Sequence, residues 1–353
     1  MPETTPPAPA QRARLPYVDV LRLTAAFLVI VGHTVNRIFL NHAPSPSWYG
    51  SLAVFYTAKS AIPVFLMLTG AVSLGRPVDR SRYLRKVRRA AVVLLAANLV
   101  YYLWGLIAAG RLAEFSPADL AYTVFHGAHS SLWYLYAYLA AMLFLPFLQK
   151  LAAVLSRREE RLLLILTVGL SGLLRFLPAL WPRLELNEAF HAMSLGAYVG
   201  LIFAGHYAET YWKPTRKTAL LAALTILAVT ALELAVTRRL YGLNPNDWLK
   251  LERSVQLTYS VKGVCLFLCA KALVPAGAAL PKGGALLGRL GGLSFGVYLL
   301  GTLLIGLLEP FYAALTGVLP WYLALPLLQA AVFLAGLGIT ALLKRIPGLR
   351  NYL

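Results

Sequence analysis

The sequence predicts an all-α, polytopic integral membrane helix bundle with about ten transmembrane helices and both termini cytoplasmic. Three observations predict it. Hydrophobic residues make up 59% of the 353 and charged residues only 13%, where a soluble domain carries charge on about a quarter of its positions. Apolar stretches of about 20 residues, enough to cross about 30 Å of hydrocarbon, recur from end to end. Between those stretches, basic residues alternate from abundant to scarce, which sets an orientation.

In chain order the spans are read at 16–40, 51–74, 90–109, 131–150, 162–180, 189–209, 218–237, 254–273, 292–313 and 320–343. They fill a transmembrane domain of residues 15–345, flanked by a disordered cytoplasmic tail at 1–14 and a cytoplasmic C-terminal tail at 346–353. The N-terminal tail is Pro-rich and polar, with too little apolar surface to order itself. The first apolar stretch is no signal peptide, because it is too long and carries Asp19 and Arg22.

A formal net charge of +19 could suggest nucleic acid, but its distribution points to a lipid bilayer instead. With both termini inside, inner segments hold 22 Lys and Arg, seven of them between Arg76 and Arg89, against eight on outer segments. The basic loop from Arg238 to Arg253 is the one outer segment that runs against this trend. The expected location is the plasma (bacterial inner) membrane, crossed many times, with no nucleic-acid partner.

Other chemistries lack their signatures. Cys265 and Cys269 lie one turn apart on one predicted helix and read as small hydrophobes rather than a bridge. No metal-ligand spacing occurs, so no metal is expected. The pairs Gly283-Gly284 and Gly291-Gly292 flank a short cytoplasmic loop and read as turn punctuation rather than a phosphate loop.

Arg22, Lys59 and Lys262 are the basic residues left inside spans, joined by His33. Titratable groups at membrane depth are costly and default to functional candidates. Arg22 and His33 are eleven residues apart, so they share a helix face at two levels about 16 Å apart. Lys59 and Lys262 each enter their spans by eight residues from outside, near the level of His33, with Glu233 and Glu309 toward the outer ends and His129 just above span four. Each has a plainer reading. Arg22 could snorkel to the interface, His33 could hydrogen-bond a neighbouring helix, and Lys59 or Lys262 could neutralise a buried carboxylate. Below them, Arg85 and Arg88 stand three apart at a helix start and could grip a phosphorylated ligand or serve as a lipid-headgroup patch.

At these residues the chain resembles acyltransferase family 3, membrane proteins that transfer acyl groups to cell-envelope glycans and other acceptors. The likeness is carried by Asp19-x-x-Arg22-x-x-Ala-x-x-x-Val-x-x-x-His33, by Ala61-Ile-Pro63-Val-Phe65-Leu-Met-Leu-Thr69-Gly70, by Arg85-x-x-Arg88 with Arg82/Arg85 as another register, by Leu132-Trp133-Tyr-Leu135-Tyr and Pro146, and by Ser294-Phe-Gly-Val-Tyr298-Leu. Two departures stand out: Gly301 and Ser131 occupy positions where the family often has His, and His129 is displaced from the latter by two.

The resemblance implies an O-acyltransferase with acetyl-CoA or another acyl-CoA as donor and a glycan or lipid-linked sugar as acceptor. Arg22, Arg85 and Arg88 would bind the phosphates, and Asp19 would orient Arg22. His33 would act as general base on the acceptor hydroxyl, with Lys59 or Lys262 stabilising the oxyanion. His129, Trp133, Tyr298 and Glu309 would line the acceptor side. The rival class is a transporter or exporter of a glycan intermediate or small carboxylate, in which the same cations hold an anion.

Overall fold

The computed structural model describes residues 15–40, 43–181, 183–184, 187, 195–246, 256–274 and 283–353. The N-terminal tail, Lys250, Arg253, Lys282 and the first residues of the spans expected at 189–209 and 254–273 lie outside the described residues. Among the described residues the secondary structure is helical, with no strand.

The first half holds α1 (Pro16–Phe39), α2 (Pro46–Ala58), α3 (Ala61–Ser73), α4 (Arg80–Ala108), α5 (Pro117–His126), α6 (Trp133–Val154), α7 (Arg157–Leu164) and α8 (Ser171–Leu180). The second holds α9 (Leu195–Tyr211), α10 (Arg216–Leu243), α11 (Gln256–Leu273), α12 (Gly283–Gly291), α13 (Ser294–Leu307), α14 (Glu309–Thr316) and α15 (Trp321–Leu343). Their starts follow local chemistry. Proline opens α1, α2 and α5, where its missing N–H costs nothing. Ser45 and Asp79 accept the Trp48 and Arg82 amides at the heads of α2 and α4.

Seven helices, counting α2 with α3 and α7 with α8 as single spans, have the length and apolarity to cross a membrane, or eight if α12 and α13 form one span bent by 52°. Among the described residues, then, ten spans are not confirmed. With α12 and α13 taken as one span, the two expected spans not matched are the sixth and the eighth. For the sixth, only Leu195–Tyr211 is a described helix, 17 residues long, and for the eighth, the 18-residue α11 carries both Lys262 and Lys271.

The second expected span is broken at Lys59-Ser60, where α2 ends and α3 begins. Pro63 explains the position: it has no N–H to give the carbonyl four residues back, and its ring crowds that carbonyl, which belongs to Lys59. The sequence reading took this stretch as one unbroken helix.

Helix α1 is central, packing on α2, α3, α11, α12, α13 and α15. Beside it α3 lies on α9 with the two backbones touching. A Cβ on Gly70 would land on the Ile202 carbonyl, and one on Gly205 on the Met67 carbonyl. Small residues let helices approach this closely where lipid provides no hydrophobic drive. The bundle thus has a basic end, with the heads of α1 and α4 and the tails of α3 and α15, and a far end that includes the tail of α1.

Candidate active site

The basic end encloses a cavity of about 460 Å³ walled by α1, α3, α4, α6, α13 and the tail of α15. Four cations line it: Arg22, Lys86, Arg89 and Lys344. No Asp or Glu is among the lining residues described. Helix phase selects them. On α4, Lys86 and Arg89 are one turn apart and line the cavity, while Arg85 and Arg88 do not. The spacing of three recurs within the cluster, and packing brings Lys86 and Arg89, rather than the expected pair Arg85 and Arg88, to this cavity.

Each cation has a partner within the fold. Arg22 reaches Asp19 at 3.4 Å with its side chain 40% exposed. Lys86 donates to the Ser73 hydroxyl at 2.9 Å and Lys344 to the Gly292 carbonyl at 2.6 Å. Arg89 donates to the carbonyls of Tyr352 and Leu353 and lies 5.3 Å over the Phe295 ring. The C-terminal segment thus folds against the mouth, with Leu353 in the lining, rather than standing apart as a simple tail.

Asp19 is 4% exposed, and a Cβ on Gly291 would meet its carboxylate at 2.6 Å. Gly291 and Gly292 both line the cavity. The stretch expected as a short loop between the Gly pairs is instead helix α12, which Gly291 ends and Gly292 follows with a turn. Gly291 lets α12 press against Asp19, and Gly292 supplies a carbonyl to Lys344.

Aromatic rings form the inner wall. Phe65, Tyr134 and Tyr298 line the cavity with ring centroids 5.7–6.3 Å apart, edge-on or tilted as their quadrupoles prefer. Tyr298 donates to the Ser131 carbonyl at 2.8 Å. The Ser131 hydroxyl meets His129 Nδ1 at 2.9 Å, and the Ser131 amide donates to that nitrogen at 3.2 Å. An Nδ1 that accepts leaves the proton on Nε2. Burial lowers the His129 pKa, which favours the neutral imidazole.

A family model described as an acyltransferase domain matches residues 15–345. The chain belongs to acyltransferase family 3. No curated protein and no solved structure matches it. Its helices and family membership make it a multi-pass membrane acyltransferase.

With the family established, the sequence-expected residues sort by place. Arg22 and Tyr298 line the cavity, and Asp19 supports Arg22. His129 connects to Tyr298 through Ser131, the position where the family often has His. Trp133 is 46% exposed and packs beside Tyr134 and Tyr198. His33 is half-buried on α1 and outside the cavity lining. Lys59 is half-buried at the break, its ammonium 4.7 Å over the Phe55 ring.

Lys262 and Glu309 are engaged elsewhere. Glu309 pairs with Arg37 at 2.5 Å, half-exposed at the far end. Lys262 is wholly buried, 2.5 Å from the equally buried Glu233 and 2.6 Å from the Tyr56 carbonyl. That geometry supports the plainer reading of Lys262, a cation neutralising a carboxylate and tying α11 to α10 and α2. Sequence reasoning missed Lys86, Arg89, Lys344 and Ser73 as cavity groups. Only their spacing along basic helix ends could have signalled them.

Proposed function

We propose that this acyltransferase moves an acetyl group from cytoplasmic acetyl-CoA to a hydroxyl of an envelope glycan or lipid-linked sugar, across the bacterial inner membrane. The observation that carries the reading is the basic-end cavity: four cations with no lining Asp or Glu suit a ligand rich in phosphates. The aromatic wall suits an uncharged thioester arm extending inward.

In this reading the basic end faces the cytoplasm, and Arg22, Lys86, Arg89 and Lys344 hold the phosphates. Arg85 and Arg88 add surface potential that attracts the donor and anionic lipid. The arm passes Phe65, Tyr134 and Tyr298 toward the outer half of α1. His33 takes the proton of the acceptor hydroxyl as its oxygen attacks the thioester carbonyl. The tetrahedral intermediate, with Lys59 near its oxyanion, collapses with loss of the C–S bond, and CoA leaves as a thiol with the proton from His33. Lys262 and Glu233 hold α2, α10 and α11 in place around this path.

Full-length protein in its native membranes with acetyl-labelled acetyl-CoA tests the chemistry. Release of CoA with transfer of label to lipid or glycan is expected, and His33→Ala should lower it by about 10²–10⁴-fold while CoA binding persists. Unchanged turnover at saturating donor would remove His33 as the base. Orientation is tested separately with Ser81→Cys and Ser45→Cys: an impermeant thiol reagent outside intact cells should label only the latter.

A further inference from the structure

A second cavity, of about 350 Å³, lies between the tail of α4 and α5. Its separation from the first is set by α4 itself. Ala90 lines one cavity and Tyr101 the other, eleven residues or about 16 Å apart along the helix.

The two cavities differ in chemistry. The second is walled by the rings of Tyr101, Tyr102, Tyr122 and His126, with the Tyr122 and His126 rings stacked at 3.8 Å. Its one cation, Arg111, forms a two-pronged pair with Glu114. No charge is left over there, so the site favours a neutral ligand with flat C–H faces and several hydroxyls. Aromatic faces carry negative potential and attract C–H bonds polarised by neighbouring oxygens. Gly105 opens one wall, since a Cβ there would meet nothing within 4 Å.

The second cavity is also connected to the first. The Tyr101 ring lies 5.2 Å from the His129 ring, His129 bonds Ser131, and the Ser131 carbonyl accepts from Tyr298 in the wall of the basic cavity. The Tyr101 hydroxyl donates to the Leu299 carbonyl, next to Tyr298 in the chain. One wall residue of each cavity thus meets at a single histidine-serine pair.

We propose that the α4–α5 cavity, which adjoins the His129–Ser131 pair through Tyr101, binds a sugar ring of the acceptor, an inference that rests on the acyl transfer proposed above. The exposed rings of Tyr122 and His126, stacked on each other, supply the stacking faces on their open sides, while buried Tyr101 packs on His129. Glu309, bound to Arg37, has no part in this site.

Saturation-transfer NMR on the full-length purified protein tests it, with maltose and diacetylchitobiose as sugar probes, glycerol as the non-sugar control and CoA added to the same samples. Ring-proton saturation of at least one disaccharide above the glycerol level is expected. It should fall to that level in Gly105→Trp, which fills the space without a clash, and in Tyr122→Ala, which removes an exposed ring and leaves the core intact. The CoA signal should persist throughout. Absence of saturation for both disaccharides in the unaltered protein, or equal saturation in both variants, overturns the subsite. Loss of the CoA signal in the unaltered protein would instead strike the donor reading, so the two failures are separable.

Discussion

The cation at mid-bundle and the four at the basic end have opposite fates. At mid-bundle, Lys262 is sealed from solvent against Glu233, and its charge is answered within the fold. At the basic end, Arg22, Lys86, Arg89 and Lys344 line a cavity and meet hydroxyl and main-chain oxygens, with Asp19 the nearby acidic side chain. The first is structural because its partner is covalently part of the chain. The second suits a site because the balancing charge has to arrive with a ligand.

The comparison can be broken most visibly at Lys262. Removing one partner of a buried pair strands the other charge, so Lys262→Met should cost about 3–5 kcal/mol and lower yield and melting temperature together. Lys262→Met with Glu233→Leu should recover much of that loss in thermal unfolding. A single variant as stable as the unaltered protein would mean the pair does not carry its region.

At the basic end the expected loss lies in binding rather than stability. Arg89→Ala or Arg22→Ala should weaken CoA by about 1.5–3 kcal/mol each, with strong salt sensitivity and little change in melting temperature. Arg85→Ala with Arg88→Ala should change CoA affinity by less than about 1 kcal/mol, as expected of exposed charges. Titrating CoA against these variants decides between the two registers of one helix.

That register is where sequence reading reaches its limit. The class of fold, Arg22, Tyr298 and the basic start of α4 were legible, because membrane-depth charge and apolar length are local signals. Pairs with the spacing of three occur in α4 at Arg82/Arg85, Arg85/Arg88 and Lys86/Arg89, and which one faces inward is set by the packing of α4 on α6. Glu233 and Lys262 stand 29 residues apart on different helices, so no spacing rule joins them. The break at Lys59 was readable from Pro63, yet the apolar run around it looked continuous. The folding of the C-terminal segment onto Arg89 has no sequence signal at all.

The smallest expected effect belongs to His129. Its folded pKa lies below the ordinary value of 6.5 because of burial, so the unfolded chain takes up the proton first as pH falls. Stability from keeping the ring neutral is therefore full above pH 6.5 and lost as pH drops below it. Thermal unfolding at pH 7.5 and 5.5 should show the unaltered protein losing ground to His129→Gln only at the lower pH. A constant difference would place the ring in solvent.

The central claim is that the basic-end cavity holds the phosphates of the donor. Calorimetric titration of the full-length protein with CoA and with 3′-dephospho-CoA, each against unaltered protein and a Lys86→Met/Arg89→Met variant, tests it directly. The account predicts tighter binding of CoA than of 3′-dephospho-CoA by the unaltered protein, and a large loss for both in the variant, with the preference between them reduced. Equal affinity of variant and unaltered protein for CoA would contradict it.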